Sequence, residues 1–123
     1  MKPQLVTCNI FDEPSMIRDF ALAHGFQGID WSFDLETLPH TPLEESGWAR
    51  EQSRLAPLEV RYHCPFFQID LGHDDPDRAR EADRIFRGII RLVSRAGGRF
   101  LSIHIGLGYD STEPLSWETT IAN

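Results

Sequence analysis

Short apolar segments recur four times along the chain and are separated by loops or by stretches with helical periodicity. They fall at residues 4–11, 28–33, 58–63 and 100–105, and all contain apolar, β-branched or aromatic residues. Runs of about four to eight such residues between turn signals are typical of β-strands. The pattern therefore predicts four strands.

Three helices are predicted between these strands. Residues 12–15, Asp-Glu-Pro-Ser, open the first with an acidic turn and an early proline, and the second covers residues 43–56. The third has the strongest signal, because one face is apolar at helical spacing and the other carries arginines. Its apolar stripe comprises Ala82, Ile85, Phe86, Ile89, Val93 and Ala96. Residues 116–122 predict the opening of a further helix.

This order of elements, βαβαβαβ, predicts one α/β domain over residues 1–123 with a parallel four-stranded sheet. A closed (β/α)8 barrel takes about 250 residues, roughly twice the length of this chain. A doubly wound sheet is disfavoured, because its strands are continuously apolar, whereas polar residues alternate with apolar ones here. We therefore expect the four-stranded half of a TIM barrel, with a polar face toward the lumen.

Strand alternation assigns residues to the two faces of that sheet. In the fourth strand Leu101, Ile103 and Ile105 are predicted to face the helices. The predicted polar, lumen-facing set comprises Thr7 and Asn9, Asp30 and Ser32, Glu59, Arg61 and His63, and Ser102 and His104. Because buried ionisable groups need partners, Asp30, Glu59 and Arg61 are expected to form an inward charge network.

Two histidines stand out within the polar set. His63 and His104 end adjacent predicted strands on the same face, where imidazoles ~4.8 Å apart can share one metal ion. The alternative is that each is a hydrogen-bonded histidine near the top of a core. Agreement of the two positions in both face and height favours a metal site. His73, in the loop above the third strand, is a further candidate, although a loop histidine is more often solvated.

Composition narrows the classes of partner. The net charge of −7 and a pI near 5.1 oppose broad phosphate-backbone binding, so nucleic acid is an unlikely partner. No apolar run approaches the ~18 residues of a membrane span, and no signal peptide is readable, so a cytoplasmic location is expected by default. Cys8 and Cys64 lie in strand-like segments and are expected to be buried free thiols.

A family resemblance rests on three segments. Residues 62–73, Tyr-His-Cys-Pro-Phe-Phe-Gln-Ile-Asp-Leu-Gly-His, and residues 102–106, Ser-Ile-His-Ile-Gly, resemble the third and fourth strand ends of the xylose-isomerase-like TIM barrel superfamily. Residues 25–30, Gly-Phe-Gln-Gly-Ile-Asp, are similar to the start of its second strand. That superfamily contains sugar phosphate isomerases/epimerases and apurinic endonucleases. The resemblance covers essentially the whole chain and implies the N-terminal half of such a barrel.

The resemblance implies a divalent-metal-dependent sugar or sugar-phosphate isomerase/epimerase, using zinc, manganese or magnesium. His63 and His104 match metal-binding histidines of the endonuclease branch, whereas in the sugar branch these strand ends more often line the substrate pocket. The residues expected to bind a small-molecule sugar are Asn9, Asp30, Arg61 and His73. The family's remaining ligands come from later strands, beyond Asn123, so this chain alone is expected to be inactive.

Two other functions stay open. One is a metal-dependent phosphodiesterase of the apurinic endonuclease kind, favoured by the histidines and disfavoured by the negative charge. The other is a noncatalytic half-barrel used for binding or assembly. Whatever its function, an open half-barrel leaves unpaired backbone on its first and fourth strands. This predicts a homo-oligomer that covers those edges.

Overall fold

The structure is a computed structural model that describes residues 5–65, 69–73 and 75–104. Its strands and helices alternate along the chain. They are β1 (Val6–Cys8), α1 (Pro14–Ala23), β2 (Gly28–Ser32), α2 (Pro42–Gln52), β3 (Glu59–His63), α3 (Pro76–Arg95) and β4 (Leu101–Ser102). Short 3-10 turns lie at Leu35–Thr37 and Ser53–Leu55. Ile105 and the helix expected at 116–122 fall outside the described residues.

The four strands form one parallel sheet in the order β1-β2-β3-β4. Neighbours in the chain are thus neighbours in the sheet, and a helix joins each pair. The prediction of an α/β fold with a four-stranded parallel sheet and three helices is confirmed. None of the helices in the described part of the chain is long and apolar enough to cross a bilayer.

A proline stands at the first position of each helix, where its missing N–H costs no intrahelical hydrogen bond. In α2 the Thr41 hydroxyl accepts from the Glu44 amide, and the Glu44 carboxylate accepts from the Thr41 amide in return. The Asp75 carboxylate caps α3 by accepting from the Asp77 amide at 2.8 Å. These local signals fix where α2 and α3 begin.

The helices cover one face of the sheet through two apolar clusters. Ile17, Ala21, Ile29 and Leu55 form the first, between α1 and β2. The second joins α3 to β3 and contains Phe33, Tyr62, Cys64, Ile69, Ala82, Phe86, Ile89, Leu92 and Val93. The predicted apolar stripe of α3 is therefore confirmed. Ile103 differs from expectation, because it is 40% exposed and lies outside both clusters.

Alanine substitutions in α3 should distinguish its buried face from its exposed face by their effect on stability. Ile89 is 1% exposed, so Ile89→Ala should cost about 2 to 5 kcal/mol of unfolding free energy through lost burial and a residual cavity. Arg91, whose side chain is 61% exposed, should lose about 0.5 kcal/mol or less on substitution by alanine. Urea denaturation of both variants measures the difference, and equal losses would mean that α3 presents a different face to the sheet.

Gly98, in the turn between α3 and β4, lies against the ring of Tyr62. A Cβ atom at this position would stand 2.6 Å from both Tyr62 Cε2 and Val93 Cγ1, closer than real Cβ contacts. Only glycine therefore allows the turn to lie on the ring and lead the chain into β4. Gly47, in the middle of α2, has open space where its Cβ would be.

Substitution of these two glycines by alanine should change the stability of the fold in opposite directions. Gly98→Ala should destabilise by about 1 to 3 kcal/mol, because the new methyl group overpacks against Tyr62 and Val93. Gly47→Ala should stabilise by about 0.5 to 1 kcal/mol, because alanine loses less backbone entropy in a helix and meets nothing. Thermal unfolding followed by circular dichroism tests both, and a stabilised Gly98→Ala variant would contradict the packing described.

Candidate functional site

The candidate site lies at the carboxyl ends of β3 and β4. His63 is the last residue of β3, paired in register with Ser102, and His104 lies two residues after Ser102, just beyond the end of β4. The His63 Nε2 and His104 Nε2 atoms are 2.6 Å apart. Strand alternation predicted that these rings would converge, and they do.

The two imidazoles meet at their nitrogen edges. Their planes are 25° apart and their centroids 4.6 Å apart. Faces of stacked rings cannot approach below about 3.5 Å, the usual carbon contact distance, so the shorter nitrogen contact places the rings side by side. The nitrogen atoms that bind metals or protons therefore point at one another.

A contact this close between two ring nitrogens needs one proton between them, because two lone pairs or two N–H groups would repel. His63 Nδ1 faces Asp30 Oδ2 at 3.9 Å. If His63 donated from Nε2, its bare Nδ1 would face a carboxylate. The favourable neutral arrangement has His104 donating from Nε2 to His63, which then holds its own proton on Nδ1 toward Asp30. At 3.9 Å the two atoms are too far apart for a direct hydrogen bond.

The donor set fits part of a metal shell. A carboxylate behind one imidazole is the usual support of a metal-binding histidine. Two zinc-bound nitrogens, each at about 2.0 to 2.1 Å from the ion, lie roughly 3 to 3.5 Å apart, so these rings must separate by less than about 1 Å to admit one. Among the described residues no group of three or more His, Cys, Asp or Glu side chains can hold an ion. The pair supplies two ligands.

Arg61 and Glu59 lie lower on the same face of β3. The Arg61 Nε lies 3.2 Å from Glu59 Oε1, and its guanidinium carbon lies 5.3 Å from the centre of the Phe100 ring. Asp30 is in register with Arg61, but its Oδ2 faces His63 Nδ1 at 3.9 Å, so the expected three-way network forms only in part. All three side chains are between 41% and 46% exposed, because this face of the sheet is open.

Asn9 follows β1 and joins it to β2. Its side-chain amide donates to the Ser32 carbonyl at 3.1 Å and accepts from the Ser32 backbone amide at 2.9 Å. The side chain thus takes the place of one backbone partner in the β1–β2 pairing. Both polar atoms are thus engaged, and substrate binding by Asn9 stays a prediction. The expected lumen position of Thr7 is wrong, because Thr7 is in register with Ile29 and Val60, which pack toward the helices.

His73 lies just before α3, and its ring contacts residues at the start of that helix. Its Nδ1 accepts from the Asp75 amide at 2.9 Å, and its Nε2 lies 3.1 Å from Arg78 Nη1. It does not join His63 and His104 in a ligand group among the described residues. Its predicted role in substrate binding stays a prediction.

The two cysteines occupy different environments. Both thiols are free, but Cys8 is exposed, on the same face as Asp30 and Arg61, so the expectation that it is buried is wrong. Cys64 is 2% exposed, as expected, and burial raises the pKa of its thiol to about 12. β1 is an edge strand of the sheet, and nothing in the described part of the chain covers Cys8 on this face.

Thiol reactivity should distinguish the cysteines. With 5,5′-dithiobis(2-nitrobenzoate) at pH 8, the native chain should react rapidly at Cys8, because its thiol is exposed to the reagent. Cys64 should react only on unfolding, since it is both covered and held protonated. The Cys8→Ser variant should therefore show no rapid phase in native buffer and one thiol in denaturant. Two rapid thiols in the native chain would contradict the described burial of Cys64.

The fold and site define an α/β protein with paired imidazoles at the carboxyl edge of a parallel sheet. No protein-family model matches the chain, and neither the curated proteins nor the solved structures contain a match.

Proposed function

We propose that this chain forms the amino-terminal half of a TIM barrel belonging to a divalent-metal-dependent sugar or sugar-phosphate isomerase/epimerase. The observation that carries the proposal is the 2.6 Å contact between His63 Nε2 and His104 Nε2. TIM barrel enzymes bind substrate at the carboxyl ends of their strands, which is the edge where both imidazoles lie. The open, polar face of the sheet, with Asp30, Arg61 and Ser32, is the face expected to line the lumen.

In the proposed site His63 and His104 hold the ion, and Asp30 orients the His63 ring through its Nδ1–H. When bound, a divalent ion polarises carbonyl and hydroxyl oxygens of the sugar, which acidifies the adjacent C–H. Carboxylates from later strands of the barrel move that proton. Arg61 is proposed to contact the sugar from below, although Glu59 neutralises much of its charge. Within residues 5–65, 69–73 and 75–104 the pair offers two ligands, too few for firm binding.

A second candidate is a metal-dependent phosphodiesterase of the apurinic endonuclease kind. The histidine pair favours it, since the matching histidines of that branch bind metal. The charges oppose it, because on the open face the carboxylates of Asp30 and Glu59 outnumber the Arg61 guanidinium, and the whole chain has a net charge of −7. The sugar isomerase/epimerase is therefore preferred over the phosphodiesterase.

A noncatalytic assembly module remains the third candidate. Leu5 and Val6 at the β1 edge are 56% and 39% exposed, and Phe100 and Ile103 at the β4 edge are 54% and 40% exposed. Apolar side chains beside unpaired strand edges favour association. A homo-oligomer through these edges is compatible with all three functions and stays a prediction.

Metal titration tests the paired ligands. Calorimetric titration with zinc should show weak binding to the wild-type chain, and His104→Ala should lower that affinity at least about tenfold, because one of two ligands is lost. Asp30→Asn should weaken binding less, since it removes the support of His63 and no ligand. His40→Ala is the matched control, because His40 is an exposed loop histidine, and it should bind zinc like the wild type.

Equal affinity of the wild type and His104→Ala would reduce the pair to ordinary hydrogen-bonded histidines and overturn the metal site. The proposed isomerase/epimerase activity is tested separately. That test uses the longer polypeptide encoded when the reading frame is followed past Asn123. Aldoses, ketoses and their phosphates are incubated in deuterated water with zinc, manganese or magnesium, and incorporation of deuterium beside the carbonyl is followed by NMR. Cleavage of abasic DNA without such exchange would select the second candidate instead.

A further inference from the structure

Ser32 and Ser102 flank His63 in one row across the open face of the sheet. Ser32 is in register with His63 on one side, and Ser102 is in register with it on the other. Register partners in a parallel sheet point to the same face, so both serine side chains lie on the face that carries the His63 ring. Both serines are exposed. The row therefore presents a hydroxyl, an imidazole and a second hydroxyl side by side at the carboxyl edge.

Neither serine hydroxyl in this row has a hydrogen-bond partner among the residues that the structure describes. The bonds of Ser32 to the Asn9 side chain use its backbone amide and carbonyl. The Ser102 carbonyl accepts from the Cys64 amide at 2.9 Å. By contrast, the Ser46 hydroxyl donates to a carbonyl of its own helix. The backbone thus holds Ser32 and Ser102 in place and leaves both hydroxyls available to a ligand.

The chemistry and spacing of the two hydroxyls match a polyol. A serine hydroxyl both donates and accepts hydrogen bonds, as the hydroxyl groups of a sugar do. Neighbouring strands are about 4.8 Å apart, so Ser32 and Ser102, two strands apart, stand roughly 9 to 10 Å from each other. With O–H···O bonds about 2.8 Å long, the pair can hold two ligand oxygens roughly 4 Å apart. Oxygens on non-adjacent carbons of a sugar chain can take this spacing.

The charges around the row disfavour a phosphate group. The Asp30 Oδ2 lies 3.9 Å from His63 Nδ1, which puts a carboxylate beside the row. Arg61 is the only arginine or lysine within the four described strands, and Glu59 Oε1 lies 3.2 Å from its Nε. A phosphate binds best to guanidinium or ammonium groups that form charge-assisted hydrogen bonds with it. The row therefore suits uncharged oxygens better than an anion.

We propose that Ser32 and Ser102 bind two hydroxyl oxygens of an uncharged polyol, so that this sheet receives the unphosphorylated part of the sugar. The inference rests on the proposed isomerase/epimerase function and narrows its substrate. The carbon chain of the ligand lies across His63, between the two hydroxyls that hold it. Both serines position the ligand and take no part in proton transfer.

Amide NMR of the chain with xylitol tests the proposal. Xylitol is a polyol without a carbonyl group, so its binding does not depend on turnover. It should shift the amide signals of Ser32, His63 and Ser102 with a dissociation constant in the millimolar range, because a few neutral hydrogen bonds formed in water contribute little affinity. Inorganic phosphate should leave the same signals unmoved.

Two serine variants identify the groups that bind. Ser32→Ala and Ser102→Ala should each weaken xylitol binding about two- to tenfold, the loss expected for one neutral hydrogen bond. Ser94→Ala, at an exposed position of α3, is the matched control and should bind xylitol like the wild type. All three side chains are exposed, so the remaining amide signals should keep their positions and report an intact fold.

Three results would contradict the proposal: no shift of these amides with xylitol, xylitol binding that survives the double variant Ser32→Ala/Ser102→Ala, or shifts caused by phosphate in place of xylitol. These results are distinct from failure of the metal site. Zinc affinity unchanged by His104→Ala, together with xylitol binding that the serine variants weaken, overturns the metal site and supports polyol binding. Zinc affinity lost in His104→Ala, without xylitol binding, does the opposite.

Discussion

The direction of the Tyr62 side chain is the constraint on which the rest of the structure depends. Its ring is 2% exposed, between the aromatic rings of Phe33 and Trp48 on one side and Gly98 on the other. Because successive residues of a strand point to opposite faces, a buried Tyr62 forces both Arg61 and His63 onto the open face. A slip of one residue would exchange the two sets and bury an imidazole among aromatic rings.

The same residue sets the height of the neighbouring strand. The Tyr62 amide donates to the Phe100 carbonyl at 3.0 Å, and the Cys64 amide donates to the Ser102 carbonyl at 2.9 Å. These bonds fix β4 against β3 with Ser102 opposite His63, so that His104 follows two residues beyond that level. Gly98 makes the arrangement possible, because any side chain there would displace the ring or the turn. Packing on the helix side thus determines the chemistry on the open side.

Sequence patterns predicted those parts of the structure for which several residues give the same signal. The α3 stripe has six apolar positions at one spacing, and these positions pack against the sheet. The two histidine rings converge as predicted, but their heights differ, because Ser102 and not His104 is in register with His63. β1 has only three residues, too few for alternation to reveal its face, and Thr7 was misplaced. The buried amide of Gln52 has no sequence signal at all, because α2 has no distinct apolar face and it packs against α3 and the 3-10 turn that follows it.

The backbone places the two histidines in different ways, and this bears on the metal site proposed above. His63 is the last residue of β3, in register with both Ser32 and Ser102, and its carbonyl accepts from the Phe33 amide at 3.0 Å. β4 is only two residues long, and His104 lies beyond its end. A shared ion needs the two nitrogens roughly 3 to 3.5 Å apart, whereas they are 2.6 Å apart in this structure. Because strand pairing on both sides fixes the backbone of His63, the proposal places the required adjustment of less than about 1 Å in the residues that follow β4.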